Sequence, residues 1–534
     1  MAAANCSSGE TCAALIHGKQ TAPSRLEAWA RLCVTKFLGS HISTDRLILE
    51  EEGGATFTFE GTRKKSSLEV VLKVHSPQFY WKVTTRADIG LADAYIDGEF
   101  SFADKDQGLL HLIMVLIANR DANKSISKVN KNRGWWTPSL FTAGIASAKF
   151  FLQHVLRQNT LTQARRNISR HYDLVWDHSL FNLWFNNVHA VGKIDCVEIV
   201  ACASAMFRIL MLVKDLSVRL TSSFSFRSSR VTRFFLYSWE KQWRTRVQYL
   251  RSETQPSNTE DEDLKTAQLR KISALIEKAR IDKKHEILDI GCGWGTFAIE
   301  VVKQTGCKYT GLTLSVEQLK YAKMKVKEAG LQDNIRLLLC DYRELPKGYK
   351  YDRIVSCEMI EHVGHEYMED FFSSCESALA EDGLLVLQST SIADERYDEY
   401  RRSSDFIKEY IFPGGCLPSL SRITSAMGVA SRLSVEHVEN IGSHYYLTLR
   451  SSSSSITPQR KAFLTFLIIF LSKILAMGFD EKFIRTWEYY FDYGAAGFKS
   501  CTLLNYQIVF SRPGNVRVLG DPYKGFPSAY RHLL

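Results

Sequence analysis

The run Glu286-Ile287-Leu288-Asp289-Ile290-Gly291-Cys292-Gly293-Trp294-Gly295 constrains the fold more than any other stretch. Ile287, Leu288 and Ile290 predict an apolar strand, and residues 296–303 carry a helical pattern. Between them, three glycines spaced one apart let the backbone turn sharply and approach a ligand, because none has a Cβ. A strand, a glycine-rich turn and a helix build a nucleotide-type pocket at the carboxyl edge of a parallel sheet. The spacing is G-x-G-x-G, without the G-x-x-G end of the dinucleotide fingerprint, and no Lys-Ser/Thr pair follows as in a P-loop. The form D-I-G-C-G-W-G points instead to S-adenosylmethionine, which has no phosphate and needs room for an amino acid tail. The bland alternative is a tight turn that holds nothing.

The pattern continues in the order expected of an α/β domain. A helix over 264–279, the strand over 285–290, a helix over 296–304 and a strand over 308–312 make a β-α-β unit. A helix over 316–329, strands over 335–339 and 353–356, a helix over 367–379 and a strand over 383–388 complete a parallel, doubly wound sheet. Upstream, residues 26–165 predict a smaller mixed α/β unit. Val70, Leu72 and Val74 alternate as a strand does, the run over 79–83 is aromatic and β-prone, and helical patterns lie over 92–95, 109–118 and 141–158. Residues 1–25 read as a disordered leader, 166–260 as a linker with an atypical insert, 261–515 as the main domain and 516–534 as a tail.

At 534 residues and 45% hydrophobic, the chain has material for two or three cored domains. Its net charge of +10 suits an anionic surface, and no nucleic-acid module accompanies it, so a membrane surface is the expected partner and nucleic acid is not. The apolar runs over 197–213 and 463–471 are too charged or too short to span a bilayer. Twelve cysteines without paired spacing indicate neither a disulfide framework nor a metal site, and a reducing cytosol is the simplest compartment.

Polar residues gather where each strand ends. After the second strand come Thr313, Leu314, Ser315 and Gln318, neutral groups suited to ribose hydroxyls, with Ser315 equally suited to cap the next helix. After the third come Asp341, Tyr342 and Arg343, where an acid accepts from an adenine amino group or merely shapes a turn. After the fourth come Glu358, Glu361 and His362, at the edge where open α/β sheets bind substrate. Glu361 and His362 there suit a base or an anion holder.

Taken in order, D-I-G-C-G-W-G, G-L-T-L-S-x-E-Q, D-Y-R and E-M-I-E-H-V-G resemble the cyclopropane-fatty-acyl-phospholipid synthase family, its plant-type branch in particular. The likeness continues through residues 404–415, His444-Tyr445-Tyr446, 485–491 and 506–512, and upstream through 94–98 and 166–173. The resemblance implies a class I, Rossmann-like methyltransferase domain preceded by a lipid-facing one. It implies transfer of a methyl group from S-adenosylmethionine to a cis double bond of a phospholipid acyl chain, closing to a cyclopropane. It further implies a bound bicarbonate as proton acceptor, with Glu361 and Tyr445 as its holders and Gln388 standing where bacterial relatives have histidine. The expected catalytic set is thus Glu361, Tyr445, His362 and Gln388. The expected cofactor set runs from Asp289, Gly291, Cys292, Gly293, Trp294 and Gly295 through Thr313, Leu314, Ser315 and Gln318 to Asp341, Tyr342, Arg343 and Glu358. Peripheral membrane association follows, a homodimer is a possible assembly, and no flavin is expected.

Two stretches depart from the family pattern. After His171-Tyr172-Asp173 a Y-S-x-A segment is missing, and residues 175–255 are unrelated until the pattern resumes. A serine tract and apolar run over 451–471 replace an aromatic, basic helix. Abrupt loss and in-frame recovery of a motif is what translated intron sequence produces. Two other readings therefore stand beside the synthase: a small-amine N-methyltransferase, and a catalytically impaired lipid- or cofactor-binding relative.

Overall fold

The computed structural model describes residues 24–62, 68–122, 264–346, 348–412, 414–451, 481–521 and 523–528. The expected leader up to residue 23, the helix over 141–158, the motif over 166–173 and the atypical stretches 175–255 and 452–471 lie outside the described residues.

In the N-terminal unit, strands β1 (Arg46–Glu51), β2 (Thr56–Glu60), β3 (Glu69–Val74) and β4 (Phe100–Phe102) form a sheet in the order β2-β1-β3-β4. Val70, Leu72 and Val74 all turn to the buried face of β3, as their alternation predicts. Helix α1 (Arg25–His41) starts on a capping box. Ser24 Oγ accepts from the Glu27 N–H at 3.2 Å, and Glu27 Oε2 accepts from the Ser24 N–H at 2.7 Å. Ala30, Val34 and Leu38, four apart, face inward, and the helix packs on β2 and on α2 (Gln78–Ile96).

The run over 79–83 is not a strand, as its residue types predict, but the opening of α2. Phe79, Tyr80 and Val83 share a helix face and are all at least 97% buried. Burial in the core outweighs the strand preference of aromatic and β-branched side chains, which is context-dependent. Helix α3 (Gly108–Ala122) completes this unit.

The second sheet has seven strands in the order β10-β11-β9-β8-β5-β6-β7. Its strands are β5 (Glu286–Ile290), β6 (Lys308–Thr313), β7 (Ile335–Leu339), β8 (Tyr351–Cys357), β9 (Leu379–Ile392), β10 (Ser434–Asn440) and β11 (Leu503–Ser511). Strands β5 to β9 are parallel; the apolar runs of β5, β6, β8 and β9 are buried on both faces, while the edge strand β7 exposes Arg336 and Leu339. One face carries α4 (Leu264–Lys278), α5 (Thr296–Thr305) and α6 (Val316–Glu328); the other carries α7 (Met368–Ala378) and α9 (Leu420–Ala430). Between those last two lies α8 (Asp394–Arg402). The α/β class and the doubly wound layout are as expected. The sheet is nevertheless mixed, because β11 inserts antiparallel between β9 and β10.

The last helices join the two units. Helix α11 (Glu481–Lys499) packs against α2, α3 and α10 (Gly442–Ser451). One apolar cluster runs from the N-terminal sheet and helices through Phe406, Tyr445, Trp487 and Tyr489.

Candidate active site

The strands β5 to β8 end on one sheet edge, and polar side chains converge there. Gly291, Gly293 and Gly295 have φ of 100°, 53° and 88°, the region that suits glycine. A Cβ on Gly291 would stand 2.9 Å from Met359 Cβ, and one on Gly295 2.9 Å from Ala322 Cβ. A Cβ on Gly293 would meet nothing within 4 Å. The loop is therefore closed at both ends by packing and open over its middle glycine. Its position is fixed by the Gly291 and Cys292 N–H groups, which donate to the Leu312 carbonyl at 3.1 and 2.9 Å.

Within the loop, Cys292 is buried and its thiol is pushed well up by that burial, which makes it a packing residue rather than a nucleophile. Trp294 is also buried, edge-on to Tyr321 at 5.4 Å. Asp289 lies beneath the loop, accepts the Tyr309 hydroxyl, and has its carboxyl raised to about 7 by burial.

At the end of β6 the polar groups serve one another. Thr313 Oγ1 donates to Gln318 Oε1 at 2.8 Å and accepts from the Ser315 N–H at 3.1 Å. Ser315 Oγ accepts from the Gln318 N–H at 3.1 Å and caps α6. Leu314 between them is half-buried. At the end of β7, Asp341 accepts from Arg343 three times: from its N–H at 3.0 Å, Nε at 2.9 Å and Nη2 at 2.8 Å. This fork both caps a short 3-10 turn and commits much of the carboxylate locally. Tyr342 in that turn is buried edge-on against Phe371.

The end of β8 differs in kind. Glu358 has φ of 54°, a strained left-handed position for a residue with a side chain. Its Oε1 accepts from the Tyr445 hydroxyl at 2.7 Å, Asn505 Nδ2 at 2.6 Å and Gln388 Nε2 at 3.2 Å. Gln388 Nε2 also donates to the Tyr445 oxygen at 2.9 Å. Glu361 is buried nearby, and its Oε1 accepts from the Thr390 N–H at 2.6 Å. Three of the four expected catalytic residues, Glu361, Gln388 and Tyr445, thus meet around Glu358 and β9. His362 instead sets its ring 6.0 Å from Phe412.

Sequence reading missed Asn505, Gln507, Thr390 and Lys278. Asn505 Nδ2 also donates to Thr390 Oγ1 at 3.1 Å, because the β9–β11 register sets Asn505 opposite Thr390. The same register sets Gln507 opposite Gln388, and Gln507 Nε2 donates to Gln388 Oε1 at 2.8 Å. Lys278, wholly buried at the end of α4, donates to Gln507 Oε1 at 2.5 Å and pairs with Glu439. The ammonium thereby fixes which way both amides point, and Gln388 must turn its N–H groups to Glu358 and Tyr445. The available signal was the period-2 placement of Asn505 and Gln507 among apolar neighbours in a strand.

This strand order, the open glycine loop and the polar cluster at the carboxyl edge define a class I, Rossmann-like methyltransferase domain. Residues 256–508 match the model of the mycolic acid cyclopropane synthetase family. The chain is 34% identical over 252 residues to tuberculostearic acid methyltransferase UfaA1 of Mycobacterium tuberculosis, covering 47% of this chain and 56% of that protein. It is 37% identical over 197 residues to a sphingolipid C9-methyltransferase of Candida albicans, covering 36% and 38% respectively. Over 251 residues it is 32% identical to the cyclopropane-fatty-acyl-phospholipid synthase of Escherichia coli, covering 47% and 59%. The chain therefore spans well under two thirds of the length of these relatives.

Proposed function

We propose that this chain is an S-adenosylmethionine-dependent lipid methyltransferase that acts on a cis double bond of an unsaturated phospholipid acyl chain and closes it to a cyclopropane. The observation that carries the reading is the family match over 256–508 on a domain whose glycine loop is open beside a convergent carboxylate cluster. S-adenosylmethionine fits the residues present: Gly293 leaves space for close approach, and Asp289 beneath the loop favours a cationic amino acid tail once ionised. When bound, it supplies an electrophilic methyl group on a sulfonium.

The protein's part is to align a weakly nucleophilic alkene with that methyl and to keep water out, since water would trap the cation formed. Tyr445, Gln388 and Asn505 hold a carboxylate at that point, and their own burial keeps the surroundings dry. Helix α1 adds a docking face. Leu26, Trp29 and Leu32 recur every third residue and stand 61%, 47% and 64% exposed. Among the described residues no helix is long and apolar enough to cross a membrane, so we assign the lipid contact to the surface.

The relatives include proteins named for C-methylation rather than ring closure, which favours a second outcome in which the methyl stays as a branch. Expression in a host without cyclopropane lipids, fed methionine with a deuterated methyl, decides between them. A ring-closed chain has lost one of the methyl deuteriums on closure, and its appearance is the expected result. A methyl branch on a retained double bond, carrying the full label because the proton lost comes from the chain, supports the second outcome. Cofactor binding with no new acyl species would sink both and leave the impaired relative.

A further inference from the structure

We infer that Glu358 is itself the proton acceptor of the reaction, occupying the donors that a bound bicarbonate would need. The inference rests on the lipid-methyltransferase reading above. An oxyanion needs hydrogen-bond donors aimed at it, and the donors that the described residues bring to Glu358 are already engaged. The Tyr445 hydroxyl hydrogen goes to Glu358 Oε1 at 2.7 Å. Gln388 Nε2 gives one hydrogen to Glu358 and the other to Tyr445. Asn505 Nδ2 divides its two between Glu358 and Thr390 Oγ1, and the Thr390 N–H is taken by Glu361. Among the described residues Asn505 Oδ1 has no partner, but it is an acceptor and offers an anion nothing.

Charge argues the same way. Glu358 and Glu361 already bring two carboxyl groups to the end of β8, and a third anion in a poorly solvated site is opposed by both when they are ionised. Lys278, the cation at the far end of the amide relay, is paired with Glu439. The carboxylate of Glu358, by contrast, is held in place on one oxygen, and among the described residues no donor reaches its Oε2. Glu358 is half-buried while Tyr445, Gln388 and Asn505 are almost wholly buried, so the acid stands at the open side of the cluster. Its neighbour Met359 packs on Gly291, which sets the carboxylate beside the glycine loop. The strained φ of 54° is a cost consistent with a position fixed for function.

The step balances without a co-reactant beyond the sulfonium donor. The sulfur–methyl bond breaks with its electrons going to sulfur, while the alkene π pair bonds the methyl and leaves a cation on the neighbouring carbon. A proton of the new methyl passes to Glu358 Oε2, and the freed C–H pair closes the ring. Protonated Glu358 then returns its proton to water. A proton beside a carbocation is acidic enough for a carboxylate to remove, so position matters more than basicity.

The test measures binding of carbon-13-labelled bicarbonate by NMR in the full-length wild type and in Glu358→Gly, whose backbone suits φ of 54°. The wild type is expected to bind none and to keep its turnover in carbonate-depleted buffer. Glu358→Gly frees the three donors and is expected to bind the label, lose at least about 100-fold in turnover, and regain part of it with added bicarbonate or formate. Glu358→Gln keeps the side chain's size and is expected to bind S-adenosylmethionine by calorimetry with the same loss of turnover. Label bound by the wild type, turnover that falls on carbonate depletion, or wild-type turnover in Glu358→Gln would each overturn the inference. If the wild type methylates no lipid at all, the activity reading fails, and the labelled-bicarbonate measurement still decides whether Glu358 or an anion fills the cluster.

Discussion

Asp289 shows how much one buried group decides at the scale of a residue. Among the described residues it accepts a single side-chain hydrogen bond, from Tyr309, and burial raises its carboxyl from 3.8 to about 7. Because the folded value lies above the unfolded one, the folded state holds a proton that the unfolded chain has lost between about pH 4 and 7. Stability therefore falls as pH rises across that window and levels off above it, by at most about 4 kcal/mol. A bound cation reverses the preference, so affinity for S-adenosylmethionine is expected to rise through pH 7. Thermal melts of the ligand-free protein across pH check the first part, with Asp289→Asn as the control that lacks the slope. Parallel pH profiles for the two proteins would remove burial of Asp289 as the cause.

At the scale of an element, the strand–loop–helix unit from β5 to α5 was legible in the sequence because it is local: an apolar run, three glycines and a helical period lie within about five turns of chain. Its glycines are not equivalent, and only the structure separates them. Gly295→Ala sets a Cβ 2.9 Å from Ala322 Cβ and is expected to destabilise the fold by about 2–3 kcal/mol, through overpacking as well as its φ of 88°. Gly293→Ala meets open space, costs about 1 kcal/mol for its φ of 53°, and is expected to weaken S-adenosylmethionine at least tenfold because the added methyl would fill the space proposed for the ligand. Melting and calorimetry on the pair check this; equal binding by Gly293→Ala and wild type would move the ligand away from the loop. What sequence reading missed depends on non-local partners. Residues 79–83 have strand-forming types but meet a core that suits a helix, and Asn505 matters only through the register that sets it opposite Thr390 and within reach of Glu358. Thr313, Ser315 and Asp341 were legible as polar strand ends, yet their first partners proved to be their own neighbours, as short side chains near turns often are.

At the scale of the whole molecule, the N-terminal unit and the methyltransferase domain share a core rather than meeting at a wet seam. Tyr95 donates to Glu488 Oε2 at 3.0 Å, Tyr410 donates to Asp93, and the apolar cluster around them contains Tyr445. The helix that presents Tyr445 to Glu358 is thus packed into the same apolar cluster as α1. The docking proposed for α1 would have two separable contributions. The net charge of +10 attracts anionic headgroups and is screened by salt over a Debye length of about 8 Å at physiological ionic strength. Leu26, Trp29 and Leu32 contribute by leaving water, which salt does not screen. Burying even half of two such side chains contributes about 2 kcal/mol, or roughly thirtyfold in partitioning. Trp29→Ser with Leu32→Ser is therefore expected to lower co-sedimentation with anionic vesicles by that order in high salt. Its melting temperature should hold nearly constant, because exposed substitutions away from special contacts change stability by about 0.5 kcal/mol or less. Binding that survives the double substitution in high salt would place the lipid contact on a different face of the protein.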